Sequence, residues 1–200
     1  MRRPIEQVPQ PDPVGPGLAV DLVDVAARTG PDGVAVAGVM ARAGLTHGGF
    51  YAHFESKDAM IADAIGTMFD DARGRSDAIE QADDPRVALK AYVDFYLSPA
   101  HRDRRERGCP LPTLSGDLAR SGEQQRDRFG KGVEALTLRL AKALGDIGAA
   151  DPHAEGSAML AQMVGAVALS RAVADPVQSD AILANAHAGL IARYGLEERQ

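Results

Sequence analysis

From residue 18 onward, apolar side chains recur every three to four positions, and no convincing stretch alternates with a period of two. A chain patterned in this way buries its apolar surface along helical stripes, so the sequence predicts an all-α fold of roughly nine helices. Leu18, Leu22, Val25 and Ala26 predict a first helix that ends near Thr29, where Gly30-Pro31-Asp32-Gly33 breaks the pattern. Val36, Val39 and Met40 with Ala43 predict a short second helix closed by Gly44. Thr46 is a good N-cap for a third, through about Phe54, and Ser56 for a fourth, over 57–72. The fourth carries Met60, Ile61, Ala64, Ile65, Met68 and Phe69 on one face. Asp84-Pro85 and Asp151-Pro152 each set a capping carboxylate before a proline at the first helical position. They predict helices to about Leu97 and Ala174. A long helix is expected over 123–147, and Ser179 is expected to cap the last, to about Tyr194. Pro99 reads as a helix stop, and 101–112 as irregular. Residues 1–17 hold five of the chain's 12 prolines, which predicts an extended or disordered tail.

Charge narrows the function. Lys+Arg 22 against Asp+Glu 28 gives a net charge of −6, which excludes a basic protein that coats nucleic acid but permits a small local DNA-binding patch. Cys109 is the single cysteine, so no intrachain disulfide and no cysteine-based zinc site is expected, and a lone thiol suits a reducing cytoplasm. No run approaches the length of apolar chain that spans a membrane, and Met1-Arg2-Arg3 is not followed by the apolar core of a secretory signal. Enzymatic signatures are weak. Ser115-Gly116-Asp117 lacks a nucleophile-elbow context, and His47, His53, His101, His153 and His187 show no zinc spacing. The sequence therefore predicts a protein that is not an enzyme and needs no cofactor or metal.

The informative segment is 33–60. It reads as a short helix, a turn at Gly44 with Leu45 as an apolar plug, and a second short helix. That is helix-turn-helix grammar, and such a second helix lies in a major groove with its N-terminal residues nearest the bases. Thr46 and Tyr51 bring hydroxyls, and His47 and His53 ring nitrogens, that can donate to DNA. Lys57 opens the next helix, where its ammonium and the free backbone amides both favour an anion. Gly48-Gly49 costs a helix about 1 kcal/mol per residue, and close approach of backbone to DNA supplies a reason for it.

The run Ala43-Gly-Leu-Thr-His-Gly-Gly-Phe-Tyr51-Ala-His53-Phe54-Glu-Ser-Lys57-Asp resembles the recognition helix and following helix start of the tetracycline-repressor-like (TetR) family. Met163 to Val173, followed by Ser179-Asp-Ala-Ile-Leu, is similar to the paired C-terminal helices of one branch of that family. After the Pro-rich tail over 1–17, the resemblance implies a helix-turn-helix DNA-binding domain over 18–60 and an effector-binding and dimerisation domain over 61–200. It implies a ligand-responsive repressor that binds double-stranded operator DNA as a homodimer through Thr46, His47, Gly48, Gly49, Tyr51, His53 and Lys57. The chain departs from the family pattern in its head. Ala26 stands where a Phe is usual, Ala35 where a Ser or Thr cap is usual, and 4–27 holds no Lys or Arg. Arg2, Arg3, Arg28, Arg42 and Lys57 against Glu6, Asp12, Asp21, Asp24, Asp32 and Glu55 leave residues 1–57 at net −1, which predicts weak phosphate attraction. The alternative function is a dimeric helical small-molecule-binding protein whose DNA head has degenerated.

The resemblance also places a small hydrophobic or aromatic effector inside the body. Tyr92, Tyr96 and Met163 are the expected wall residues, with Phe95, Phe129, Leu136, Leu140 and Met159 weaker candidates. Aromatic and Met residues at helical spacing serve equally well as core. Cys109 follows Arg104-Arg105-Glu106-Arg107-Gly108; nearby arginines would lower its pKa and suit a sensor of electrophiles or oxidants. Arg171 lies on an apolar stripe and needs a partner, either Asp175 or Asp180 across a dimer or an acidic effector. Gly165, Ala168, Ala172, Ala184, Ala188 and Gly189 permit close helix approach, so residues 155–194, Leu190 among them, are expected to build a four-helix dimer interface.

Overall fold

The computed structural model describes residues 54–104 and 109–197, together with Ala37, Gly38, Ala41 and Tyr51, all four of which are helical. Every regular element among the described residues is a helix. Numbered from the first continuous one, these are α1 (Lys57–Gln81), α2 (Pro85–Tyr96), α3 (Pro99–Asp103), α4 (Pro110–Leu118), α5 (Glu123–Asp146), α6 (Pro152–Ala172) and α7 (Pro176–Tyr194). The periodicity predicted five helices in this part of the chain. The three expected before residue 55 lie almost wholly outside the described residues.

Prolines account for most of the differences. Pro85, Pro99, Pro110, Pro152 and Pro176 all open helices, at the position where a missing amide costs nothing. Pro99 therefore starts α3 rather than only ending α2, and the stretch expected to be irregular, 101–112, carries the end of α3 and the start of α4. The Ser98 side chain accepts the amide of His101 at 3.1 Å. In the last helix the cap is Asp175, whose carboxylate accepts the amide of Val177 at 3.0 Å, so α7 begins before Ser179. Ser179 instead donates to the carbonyl of Ser170 at 2.6 Å and ties α7 to α6. The helix expected over 57–72 continues to Gln81 and passes residues 60 and 61 without a break.

The helices stack in sequence: α1 packs on α5, α5 on α6, and α6 on α7, with α2 set against α1, α5 and α7. Leu89, Val93, Leu140, Leu144, Met159, Met163, Val167 and Leu190 are fully buried at the centre. Gly156 sets the approach of α6 to α5: a Cβ there would lie 2.9 Å from the carbonyl oxygen of Thr137 and 3.0 Å from the amide nitrogen of Ala141. Arg86 closes the far end. Its guanidinium donates to the carbonyls of Tyr194 and Gly195, each at 3.1 Å, and of Ile147 at 3.2 Å, satisfying chain ends left open after α7 and α5. Gly195, at φ 58°, supplies the left-handed residue that ends α7.

Candidate functional site

Two places bear on function: the start of α1 and a cavity in the body. Thr46, His47, Gly48, Gly49 and His53 lie outside the described residues. Tyr51 is helical and 70% exposed. Ser56 caps α1 by accepting the amide of Ala59 at 3.0 Å, which places Lys57 in the first turn, half-buried, three residues after the buried Phe54. Gln125 donates to the Asp58 carboxylate at 2.9 Å and fastens that first turn of α1 to the first turn of α5.

The cavity measures about 380 Å³ and lies between α1, α2 and α5. Phe69, Ala72 and Ser76 of α1, Tyr92, Phe95 and Tyr96 of α2, and Gly132, Ala135 and Leu136 of α5 form its walls, with His101 and Cys109 at one end. The rings form a connected set: Tyr92 to Tyr96 at 5.8 Å, Tyr96 to His101 at 4.6 Å, and Phe95 to His101 at 5.0 Å between centroids. A Cβ at Gly132 would displace the ring of Phe69.

Of the effector residues expected from sequence, Tyr92, Tyr96 and Cys109 meet in this cavity. Met163 does not. It is fully buried where α6 packs in the core, as are Met159 and Leu140. Phe129 stands behind the wall, edge-on to Phe69 at 5.8 Å. The surroundings of Cys109 among the described residues run against the expectation of an activated thiol. Burial pushes the thiol pKa up, outweighing the downward pull of the Tyr96 hydroxyl, the Leu111 amide and the Arg171 charge. The Tyr96 hydroxyl donates to Sγ at 3.5 Å.

Sequence reasoning missed the charge of the site. Six basic residues line the cavity (Arg73, Arg75, Arg104, Arg128, Lys131, Arg139) against two acidic ones, Asp70 and Asp71. Arg75 lies over the face of Phe95, 3.9 Å from its centroid. Arg139 is largely buried; Nη2 meets Asp77 at 3.1 Å, Nη1 donates to the Ala135 carbonyl at 3.3 Å, and Nε is buried with no partner. His101, 3% exposed, sits with Nδ1 at 2.7 Å from the Tyr96 carbonyl, so the neutral ring carries its proton on Nδ1. Burial holds its pKa below the ordinary imidazole value, and the charges of Arg171, Arg75 and Arg104 push the same way. A signal was present in the sequence: Arg128, Lys131, Ala135 and Arg139 share one helical stripe of α5.

Arg171 does not reach toward the C-terminal aspartates. Its Nε donates to the carbonyl of Arg102 at 2.9 Å, Nη1 to the Thr113 hydroxyl at 3.1 Å and Nη2 to the His101 carbonyl at 3.3 Å, which anchors α3 and α4 on α6. Asp180 pairs with Arg102 of the same chain at 2.5 Å. Leu190 likewise belongs to the chain's own core. No helix among the described residues is long and apolar enough to cross a membrane.

Comparison with known proteins finds one family over the N-terminal segment and one shared fold over most of the chain. Residues 23–64 match the bacterial regulatory proteins of the tetR family. No curated protein matches the chain. Among solved structures, E. coli NemR in its reduced form superposes with a TM-score of 0.75 at 20% identity, covering 88% of this chain and 95% of that one. A TetR-family regulator from Cytophaga hutchinsonii gives 0.74 at 19% identity, covering 92% and 94%. A transcriptional regulator from Rhodococcus sp. Rha1 gives 0.67 at 26% identity, covering 88% and 95%. Residues 23–64 thus carry the N-terminal segment of the tetR-family regulatory proteins, and the chain shares the fold of solved TetR-family structures.

Proposed function

We propose that the chain is a ligand-responsive repressor that works in the cytoplasm and binds operator DNA as a homodimer. Residues 18–60 form the DNA-binding head, residues 61–200 the effector and dimer body, and 1–17 a tail. Thr46, His47, Gly48, Gly49, Tyr51, His53 and Lys57 make the DNA contacts, and a small molecule in the α1–α2–α5 cavity causes release. One observation carries this reading: α1 is at once a wall of the cavity, through Phe69 to Ser76, and the helix that begins at Lys57 beside the family-matched segment. A ligand that repositions α1 moves the groove-binding segment with it. It lowers operator affinity only by the amount it prefers the non-operator arrangement.

Two heads must be held at fixed spacing to read two half-sites. The outward faces of α6 and α7 support a dimer there. Leu169 is 60% exposed and Val177 75% exposed, and Ala172, Ala184, Ala188 and Gly189 are exposed around them. The reduced form named for the E. coli neighbour raises a thiol-borne response as a second reading, and the raised pKa of Cys109 counts against it.

The test is an electrophoretic mobility shift with DNA from upstream of the chain's own gene. The unmodified chain shifts this DNA. Tyr51→Ala and Lys57→Ala weaken binding to all sequences, whereas His47→Ala alters sequence preference. Unchanged affinity in all three, with the fold intact, refutes the DNA contacts. No shift by the parent chain favours a ligand-binding protein with a degenerate head. Cys109→Ser retains release by the effector; loss of release in that variant would restore the thiol reading.

A further inference from the structure

We propose that the ligand of the α1–α2–α5 cavity is an aromatic anion, a flat apolar body bearing a carboxylate or sulfonate, and not a neutral hydrophobe. The inference rests on the cavity being the effector site and deepens that reading. In a chain of net charge −6, this one cavity collects six basic residues against two acidic ones. Four of the six, Arg73, Arg75, Arg104 and Arg128, have no carboxylate within 4.0 Å among the described residues, and all four are exposed at the mouth. Arginines that stabilised the fold by ion pairing would have carboxylates beside them. These face an opening instead.

The interior adds a second, independent indication. Arg139 carries a buried Nε–H with no acceptor. An unsatisfied buried donor costs about 1–3 kcal/mol, and an acceptor entering the cavity would remove that cost. The apolar half of the ligand is specified by the rings of Phe69, Tyr92, Phe95 and Tyr96. Arg75 over Phe95 has a face committed to the ring and its N–H edge left for an in-plane carboxylate. Ring on ring and anion on guanidinium are thus satisfied together by one amphipathic molecule, with the ring inside and the acid toward the mouth.

The experiment uses two dyes of nearly equal shape, anilinonaphthalene sulfonate and its uncharged parent phenylnaphthylamine, titrated by fluorescence into the full chain. Because the chain has no tryptophan, dye emission is read against a low protein background. The sulfonate binds about tenfold or more tightly than the neutral dye, and the preference shrinks as salt rises. Arg75→Gln and Arg128→Gln, at exposed positions, each lower sulfonate affinity severalfold toward that of the neutral dye. Ala72→Phe and Ala135→Phe, introduced separately to fill the cavity without adding a tryptophan, abolish binding of both dyes. Equal binding of the two dyes, both lost in the filled variants, overturns the anion inference and leaves the cavity as the effector site. Binding of both dyes undisturbed in the folded, filled variants overturns the site as well.

Discussion

Asp77 is the carboxylate that restrains Arg139, and its removal has two consequences of opposite sign. The pair joins α1 to α5 at 3.1 Å, with side chains 31% and 15% exposed. Two unit charges at that distance attract by about 5 kcal/mol at an effective dielectric of about 20. Partial desolvation and solvent screening reduce the net contribution to about 1–2 kcal/mol. Asp77→Asn keeps the size and one acceptor oxygen, so the expected loss is near 1 kcal/mol; Asp77→Ala approaches 2. For a chain of this length, 1 kcal/mol lowers Tm by about 2–4 °C, readable by circular dichroism. At the same time the cavity becomes more positive and Arg139 is released toward it. Asp77→Asn therefore binds anilinonaphthalene sulfonate severalfold more tightly, while phenylnaphthylamine is unaffected. The double variant with Arg139→Gln isolates the coupling. A variant with unchanged Tm and unchanged affinity for the sulfonate would refute the reasoning, showing that Asp77 neither holds α1 to α5 nor tempers the charge of the cavity.

Gly156→Ala destabilises the chain by about 1–2 kcal/mol, because crowding Thr137 and Ala141 outweighs the gain in helix propensity, whereas Gly130→Ala, in open space, stabilises it by up to about 1 kcal/mol; urea titration measures both. Leu190→Glu places a charge in the core and yields insoluble or unfolded protein, while Ala184→Glu, at an exposed position, retains the helical spectrum and converts the proposed dimer to monomer in sedimentation velocity. His101 gives a pH dependence. Its folded pKa is depressed, so the unfolded chain binds a proton that the folded chain refuses; this stability is present above the ordinary value of about 6.5 and is lost as pH falls below it. Tm measured between pH 5 and 7 falls less steeply for His101→Asn than for the parent.

The helical class was legible because apolar spacing is a local property of the chain. Asp84-Pro85 and Asp151-Pro152 were legible as starts because cap and proline are adjacent. Asp175-Pro176 offers the same adjacent pair, but Ser179 competes with it as a cap residue, and Pro99 and Pro110 carry the signal less plainly. Pro110 follows Cys109, which makes no side-chain cap bond, and Pro99 falls three residues after α2 ends, where a stop and a start coincide. Half of the cavity was legible, since Tyr92 and Tyr96 are large, aromatic and on one helix face. Met163 has the same outward signature but lies on the helix that faces the core, and no local pattern separates the two. The charge of the cavity was hidden for a different reason. Arg73 and Arg75, Arg104, and Arg128 with Arg139 belong to three separate segments, and only packing brings them to one opening.

On the proposed reading of the cavity as the effector site, the placement of that opening gives charge a role there. A neutral ring in the cavity would touch α1 through Phe69 and Ala72 and gain much the same apolar contact in any arrangement that keeps the cavity closed. Such a ligand switches only as far as its apolar contacts differ between arrangements. An anion is more demanding. Arg73 and Arg75 ride on α1, Arg128 and Arg139 on α5, and they can share one acidic group only when the two helices stand at a particular separation. Without ligand, the like charges on the two helices oppose that approach; with it, the anion draws them together. The free energy of anion binding is thereby coupled to the position of α1 relative to α5. At the far end of α1, Asp58 and Gln125 form a second tie between the same two helices, next to Lys57. A change in α1–α5 spacing at the cavity must either strain that tie or turn the first turn of α1 about it.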